Sequence, residues 1–282
     1  MIPLKSTTLV FNISCALAFL FLLWGGLAPD HLAKITGSLQ SSLLDTFGWL
    51  YVISASGFLL AALCLIFSRY GDILLGPDGA EPEFNLLTWF AMLFCAGMGI
   101  GLVFWGVAEP TSHFHTPPMG DEGTTEAARL ALQYSFFHWG LHPWGIYTMV
   151  ALALAYFQFR RGTPGLFSLA CQPVLGKSST GILGTAVDVV AVFATVFGVA
   201  TSLGFGAVQI SGGLSYVFGI PNTLSTQLTL IGIVTILFML SAQTGLHRGI
   251  KYLSNLNMIL ALSLLCFLLF LGPTHFIMTV LP

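Results

Sequence analysis

Long apolar runs separated by short polar stretches account for most of the chain. Seven of them come near the ~20 mostly apolar residues that a spanning helix requires: 8–28, 47–67, 86–108, 132–158, 182–212, 224–242 and 253–271. None alternates apolar and polar residues with a period of two, so the pattern speaks against a β-barrel. It predicts an all-α polytopic membrane protein with about seven transmembrane helices. The first run is too long for a cleaved signal peptide and lacks a small-residue cleavage pattern.

Composition agrees. Charged residues make up 7% of the 282, where a soluble domain carries about 25%. Mean hydropathy is +0.89. Nine Lys and Arg against eleven Asp and Glu leave no basic footprint for a nucleic acid. Cys15, Cys64, Cys95, Cys171 and Cys266 show no paired metal-ligand spacing, and they read as small core side chains without a disulfide framework. Charge placement sets an orientation. With the N-terminus inside, Lys5, Arg69, Arg160, Arg161, Lys177, Arg248 and Lys251 fall on the inner side, and only Lys34 and Arg129 fall outside. The outer connection 109–129 carries Glu109, Asp121, Glu122 and Glu126. The longest inner connection, 159–181, opens with the breaker run Gly162-Thr163-Pro164-Gly165. An odd number of spans puts the apolar tail 272–282 outside, where it reads as a chain cut short, or as half of something larger.

Few residues within the spans can carry chemistry. Asp188 lies inside an apolar run near the start of the fifth span. An intramembrane acid is a functional candidate; the plainer reading is an interfacial acid paired with Lys177 or with backbone donors. In the third span, Gly97-Met98-Gly99-Ile100-Gly101 places three glycines at alternate positions, each costing a helix about 1 kcal/mol relative to Ala. They serve either a broken helix whose carbonyls line a cavity, or close packing through the Gly97-x-x-x-Gly101 pair. No strand precedes them, so they form no dinucleotide fingerprint.

The fourth span holds His138-Trp139-Gly140-Leu141-His142-Pro143-Trp144-Gly145-Ile146-Tyr147. On one continuous helix, Trp144 and Tyr147 lie about 60° apart and Trp139 about 80° beyond Tyr147. That face either packs against other helices or holds a quaternary ammonium by cation–π attraction, worth up to about 2 kcal/mol per dry face. His138 and His142 have a zinc-compatible i, i+4 spacing, but the metalloprotease Glu between them is missing. No nucleophile elbow or phosphate loop is present, so an enzyme is not expected. Thr195, Thr201 and Ser202 in the fifth span either bond back to their own helix or ligate a hard cation.

The chain resembles the betaine/carnitine/choline transporter family. The resemblance rests on Gly97–Gly101 running into Trp105-Gly106-Val107-Ala108-Glu109-Pro110, and on His138-Trp139-Gly140 with Trp144 and Tyr147. Phe193-Ala194-Thr195-Val196-Phe197-Gly198, Ser202-Leu203-Gly204 and Gly249-Ile250-Lys251-Tyr252-Leu253-Ser254-Asn255 complete it. It implies two extra helices in 1–85, the first five-helix inverted repeat of a sodium-symporter (LeuT-like) fold in 86–271, and the start of an outer amphipathic linker helix in 272–282. It assigns substrate binding to Trp139, Trp144, Tyr147, Gly99 and Gly101, and ion binding to Cys95, Met98 and Thr195. Gly101 stands where proton-coupled choline carriers of the family have Asp, which favours a zwitterion and Na⁺.

The expected function is therefore secondary transport of a glycine betaine-like quaternary ammonium solute, by Na⁺-coupled uptake, by the N-terminal half of a carrier. The alternatives are proton-coupled choline uptake or carnitine-type exchange, an inert membrane remnant, and a membrane metalloenzyme using His138 and His142. No cofactor is expected beyond Na⁺ as coupling ion. The expected partners are the solute, membrane lipid, a homotrimer as in the family and a separate second half. The expected location is the bacterial cytoplasmic (inner) membrane, multi-pass, with the N-terminus cytoplasmic.

Overall fold

The computed structural model describes residues 8–280, so Lys5 and the last two residues of the tail lie outside the described residues. Among the described residues the chain is helical and has no strand. The helices are α1 (Leu9–Leu27), α2 (Pro29–Ile66), α3 (Leu86–Gly97), α4 (Ile100–His115), α5 (Thr125–Trp139), α6 (Leu141–Ala155), α7 (Phe167–Ala170), α8 (Gln172–Leu175), α9 (Ile182–Phe218), α10 (Leu224–Gln243), α11 (Lys251–Leu271) and α12 (Thr274–Val280). Side-chain caps mark several starts. Thr8, Asn85, Thr124 and Thr223 each accept a bond from an amide in the first turn that follows, as helix N-termini require.

Five helices are long and apolar enough to cross a membrane: α1, α2, α9, α10 and α11 with the turn before it. A sixth span is formed if α3 and α4, which meet at 56°, count as one broken crossing. The predicted fourth span, 132–158, is not one helix. It divides at Gly140 into α5 and α6 of 15 residues each, neither long enough alone to cross the ~30 Å hydrocarbon layer. The cause is local: a Cβ on Gly140 would lie 2.5 Å from the Phe136 carbonyl oxygen. The connection predicted over 109–129 is also shorter than expected. Helix α4 continues through Pro110 to His115, and this places Glu109 inside a helix, buried, instead of in a loop.

The chain separates into two compact units. The first comprises residues up to Ala80 with Ser112–Ala200. Here α2 runs along α6, and the approach is closest at Gly145, where an added Cβ would lie 3.0 Å from Leu59 Cα. Phe21 of α1 packs edge-on against Phe193 and Phe197 at 5.9 and 4.6 Å between ring centres. Arg160, in the wide turn closing α6, donates to the Gly76 carbonyl and pairs with Asp78. The second unit comprises Glu81–Thr111 with Thr201–Pro282. Here α3 packs on α11, and Phe104 stacks on Phe205 at 4.9 Å. Gly206 leaves room for Ile100, and His247 pairs with Glu83 at 2.7 Å.

Burial follows membrane logic. The buried residues are mostly small or hydroxylic, among them Ala62, Ala91, Ala127, Ala131, Ser211 and Ser254, while Leu, Ile and Phe point outward. Lipid is as apolar as a core, so helix contacts select small side chains that let backbones approach. The same logic corrects the reading of the cysteines. Cys15, Cys64, Cys171 and Cys266 are exposed and Cys95 is half-buried, because an apolar setting in a membrane does not imply an interior one.

Candidate functional site

In the first unit the aromatic residues lie on two helices. Trp139 ends α5, whereas Trp144 and Tyr147 lie on α6 beyond the Gly140 break. The angular arithmetic of a continuous helix therefore holds for Trp144 and Tyr147 and fails for Trp139. Trp144 and Tyr147 form an edge-to-face pair, with ring centres 5.8 Å apart and planes at 85°, both half-buried. Gly145 between them seats α6 on α2, so this ring pair is held by backbone contact. The break also separates the two histidines. His138 lies beside Trp139 at 5.3 Å and His142 beside Phe137 at 4.7 Å, each on its own helix. Among the described residues no three His, Cys, Asp or Glu side chains gather as metal ligands.

In the second unit the glycine run forms a true break. Met98 and Gly99 leave helical geometry between α3 and α4, and the Met98 amide closes the last turn of α3 on the Phe94 carbonyl at 2.6 Å. A helix end leaves its last carbonyls without intrahelical amides, here those of Cys95, Ala96 and Gly97. The start of α4 likewise leaves its first amides, at Ile100 and Gly101, without intrahelical acceptors. A sharp bend at glycine is an expected cause of a kink. The nearest atom to a Cβ built on Gly99 is the Cys95 carbonyl oxygen at 4.0 Å, so this glycine leaves open space beside the turn. The Met98 side chain is buried.

Thr195 donates from Oγ1 to the Ala191 carbonyl at 2.8 Å, the back-bonded option. It lines an apolar groove of about 520 Å³ with Phe167, Val187, Val190 and Ala194 of the same unit. Asp188 is buried and accepts from Ser168 twice, from the backbone amide at 2.9 Å and from the hydroxyl at 2.7 Å. Its partners are thus a backbone donor and a hydroxyl of the connection 159–181, and the acid holds the first turn of α7. Sequence reasoning missed the burial of Glu109; it quoted Asn255 of α11 only within a motif and gave it no role, and it did not name Asn257. Asn257 donates to the Cys95 sulfur at 3.1 Å and Asn255 to Thr88 at 3.4 Å. Two amides among the first five residues of the run 253–271 were the available signal.

These features define a polytopic helical membrane protein with a glycine-broken span. The profile of the BCCT, betaine/carnitine/choline family transporter, matches residues 9–282, and the chain belongs to that family. It is 55% identical over 276 residues to the glycine betaine transporter OpuD of Bacillus subtilis, covering 98% of this chain and 54% of that protein. It is 44% identical over 274 residues to the probable glycine betaine transporter of Desulfitobacterium hafniense, covering 97% of this chain and 55% of that protein. It is 41% identical over 277 residues to the high-affinity choline transport protein of Escherichia coli, covering 98% of this chain and 41% of that protein. The chain spans about half the length of these relatives, or less. The family assignment made from the motifs therefore stands, and the family is one of transporters, not enzymes.

Proposed function

We propose that the chain forms one half of a carrier for a quaternary ammonium solute of the glycine betaine kind, taken up with Na⁺. The observation that carries this reading is the Trp144–Tyr147 pair, an edge-to-face aromatic corner on a helix seated by Gly145. A trimethylammonium group cannot donate hydrogen bonds, so aromatic faces hold it better than carboxylates do in a dry site. Trp139 adds a third face from the end of α5. The broken turn at Met98–Gly99 is the candidate of the second unit. Carbonyls at the end of α3, with Cys95 and Met98 beside them, suit a hard monovalent cation, and Gly99, with open space beside it, and Gly101 are the residues there that this reading gives to the solute. Thr195, in the first unit, is a separate candidate hydroxyl ligand that would act by giving up its bond to Ala191. No other cofactor is called for.

The remaining length of the relatives would supply the other wall of the site, as the second inverted repeat of a LeuT-like fold whose first repeat is 86–271. In this reading 1–85 are the two additional helices, and 272–282 begin the linker. A homotrimer in the bacterial inner membrane, N-terminus in the cytoplasm, completes the proposal. Within each unit one pair of connections lies on a common side, as this orientation requires: Arg160 pairs with Asp78, and His247 with Glu83.

Choline is the second reading, favoured by the 41% identity to the choline protein. The test is uptake of labelled betaine and choline into cells or liposomes bearing the chain, alone and continued by the second half of a relative, under Na⁺ or proton gradients. Na⁺-driven betaine uptake is expected. Proton-driven choline uptake or exchange would replace the first reading with the second. No uptake or binding in any arrangement would leave an inert remnant.

A further inference from the structure

We propose that Asn257 is a positioning residue for the break after α3 and acts through Cys95. This rests on the reading of that break as a cation-binding turn. Within the second unit, α3 and α11 meet through three polar contacts. Asn257 Nδ2 donates to Cys95 Sγ at 3.1 Å, the thiol contacts the Ser254 backbone carbonyl at 3.5 Å, and Asn255 Nδ2 donates to Thr88 Oγ1 at 3.4 Å. Thr88 and Ser254 are both buried.

The placement of these contacts gives them a purpose beyond packing. Thr88 lies in the first turn of α3 and Cys95 in its last, about 10 Å apart along the axis, so α11 grips the short helix at both ends. Cys95 is three residues before Met98, where the helix ends, and its own carbonyl is among those the end leaves open. Sulfur and carbonyl hang from one Cα, so a hold on the sulfur limits the direction of the carbonyl. Sulfur is a weak acceptor and the thiol a weak donor, so Ser254 alone would hold Cys95 poorly. The Asn257 amide adds a second contact, with the stronger donor and the shorter distance. Its loss frees the last turn of α3 and misaims the cation ligands of this unit, while the Trp144–Tyr147 corner is built on other helices, α6 and α2.

The test uses the transporter with Cys95 as its sole cysteine, every other one, including Cys15, Cys64, Cys171 and Cys266, being changed to Ser. Asn257→Leu and Asn257→Ser, the second adding no bulk, are each expected to raise the rate of Cys95 alkylation by N-ethylmaleimide about fivefold or more. Both are expected to raise the half-saturating Na⁺ for betaine uptake about fivefold, with betaine KM at saturating Na⁺ held within about twofold. In a Cys95→Ala background, Asn257→Leu adds nothing to the Na⁺ requirement, since the two residues act as one unit. Unchanged alkylation in both variants overturns the contact. Parallel rises in betaine KM and Na⁺ requirement overturn the positioning role, because simple loss of packing would disturb both. A parent protein that transports without any response to Na⁺ overturns the coupling reading and the role with it, and the alkylation rates still decide whether the grip exists.

Discussion

Filling Gly145 with a side chain is expected to wedge α6 off α2 and to move the aromatic corner with it. A Cβ at this position would lie 3.0 Å from Leu59 Cα and 3.1 Å from its N and Cβ. Relaxed carbon–carbon contacts need about 3.5–4.0 Å, so the helices must part by about 0.5–1 Å. The obstruction is the Leu59 backbone, which cannot rotate aside as a long side chain could. Overpacking of this kind costs about 1–3 kcal/mol, and replacing glycine by alanine in a helix returns about 1 kcal/mol. Gly145→Ala should thus lose about 0–2 kcal/mol, and Gly145→Val, with its branched carbon, should reach the upper end. Trp144 adjoins the site and Tyr147 is two residues on, so both rings shift by a similar distance. A tenfold change in affinity corresponds to about 1.4 kcal/mol, and losing part of one cation–π contact should raise the betaine KM of Gly145→Val about fivefold to tenfold. The assay is betaine uptake at matched protein abundance, with thermal stability measured on the detergent-solubilised protein. Gly57→Ala on α2 is the control, since nothing lies within 4 Å of its missing Cβ. It should be neutral or stabilising by up to about 1 kcal/mol. Wild-type KM and stability in Gly145→Val would refute the close crossing and the argument built on it.

Other outcomes follow from the same geometry. Trp144→Ala and Tyr147→Ala should each weaken betaine uptake about tenfold in KM, with Trp144→Phe retaining most of the affinity because a π face remains, measured by competition with labelled betaine. Gly140→Ala should abolish the break between α5 and α6 or destabilise it, since its Cβ meets the Phe136 carbonyl; loss of folded protein by size-exclusion profile would show this. Asp188→Ala removes a buried acceptor of two bonds and should cost about 1.5–3 kcal/mol, with faster tryptic cutting between Arg160 and Lys177; Asp188→Asn should fall between it and the parent.

The spans were legible because a membrane demands long apolar runs and the residues supply them. The break at Gly97–Gly101 was legible as one of two options, since glycine is costly in a helix unless it has a use. The split at Gly140 was not, because hydropathy runs through it unchanged and one glycine resembles many others. Glu109 looked like a loop residue, since Glu-Pro usually marks a helix boundary; here the helix continues, as proline in a spanning helix is tolerated where neighbours re-satisfy the freed carbonyl. Asp188 was recognisable as an unusual acid, yet its partner Ser168 is 20 residues away in a connection with no marking pattern. Asn257 finds Cys95 across 162 residues, and no local rule reaches that far. For Asp188 and Asn257 what was missed is a contact between distant segments, whereas the Gly140 split and the helical Glu109 are local departures from the usual pattern.

Helix α2 is 38 residues long, about 57 Å, nearly twice the thickness of the hydrocarbon layer. Trp49 and Tyr51 point outward partway along it, and Phe67 with the Arg69–Tyr70 cation–π pair closes its far end. Between Trp49 and Phe67 the rise is about 27 Å, close to one membrane, and aromatic rings favour the two water boundaries. The helix thereby carries its own plumb line. It sets how deep this helix sits in the bilayer, and the about 20 residues from Pro29 onward exceed what one crossing needs. Because α6 is moored to this same helix at Gly145, the height of the aromatic corner above either surface is set by where Trp49 and Phe67 come to rest.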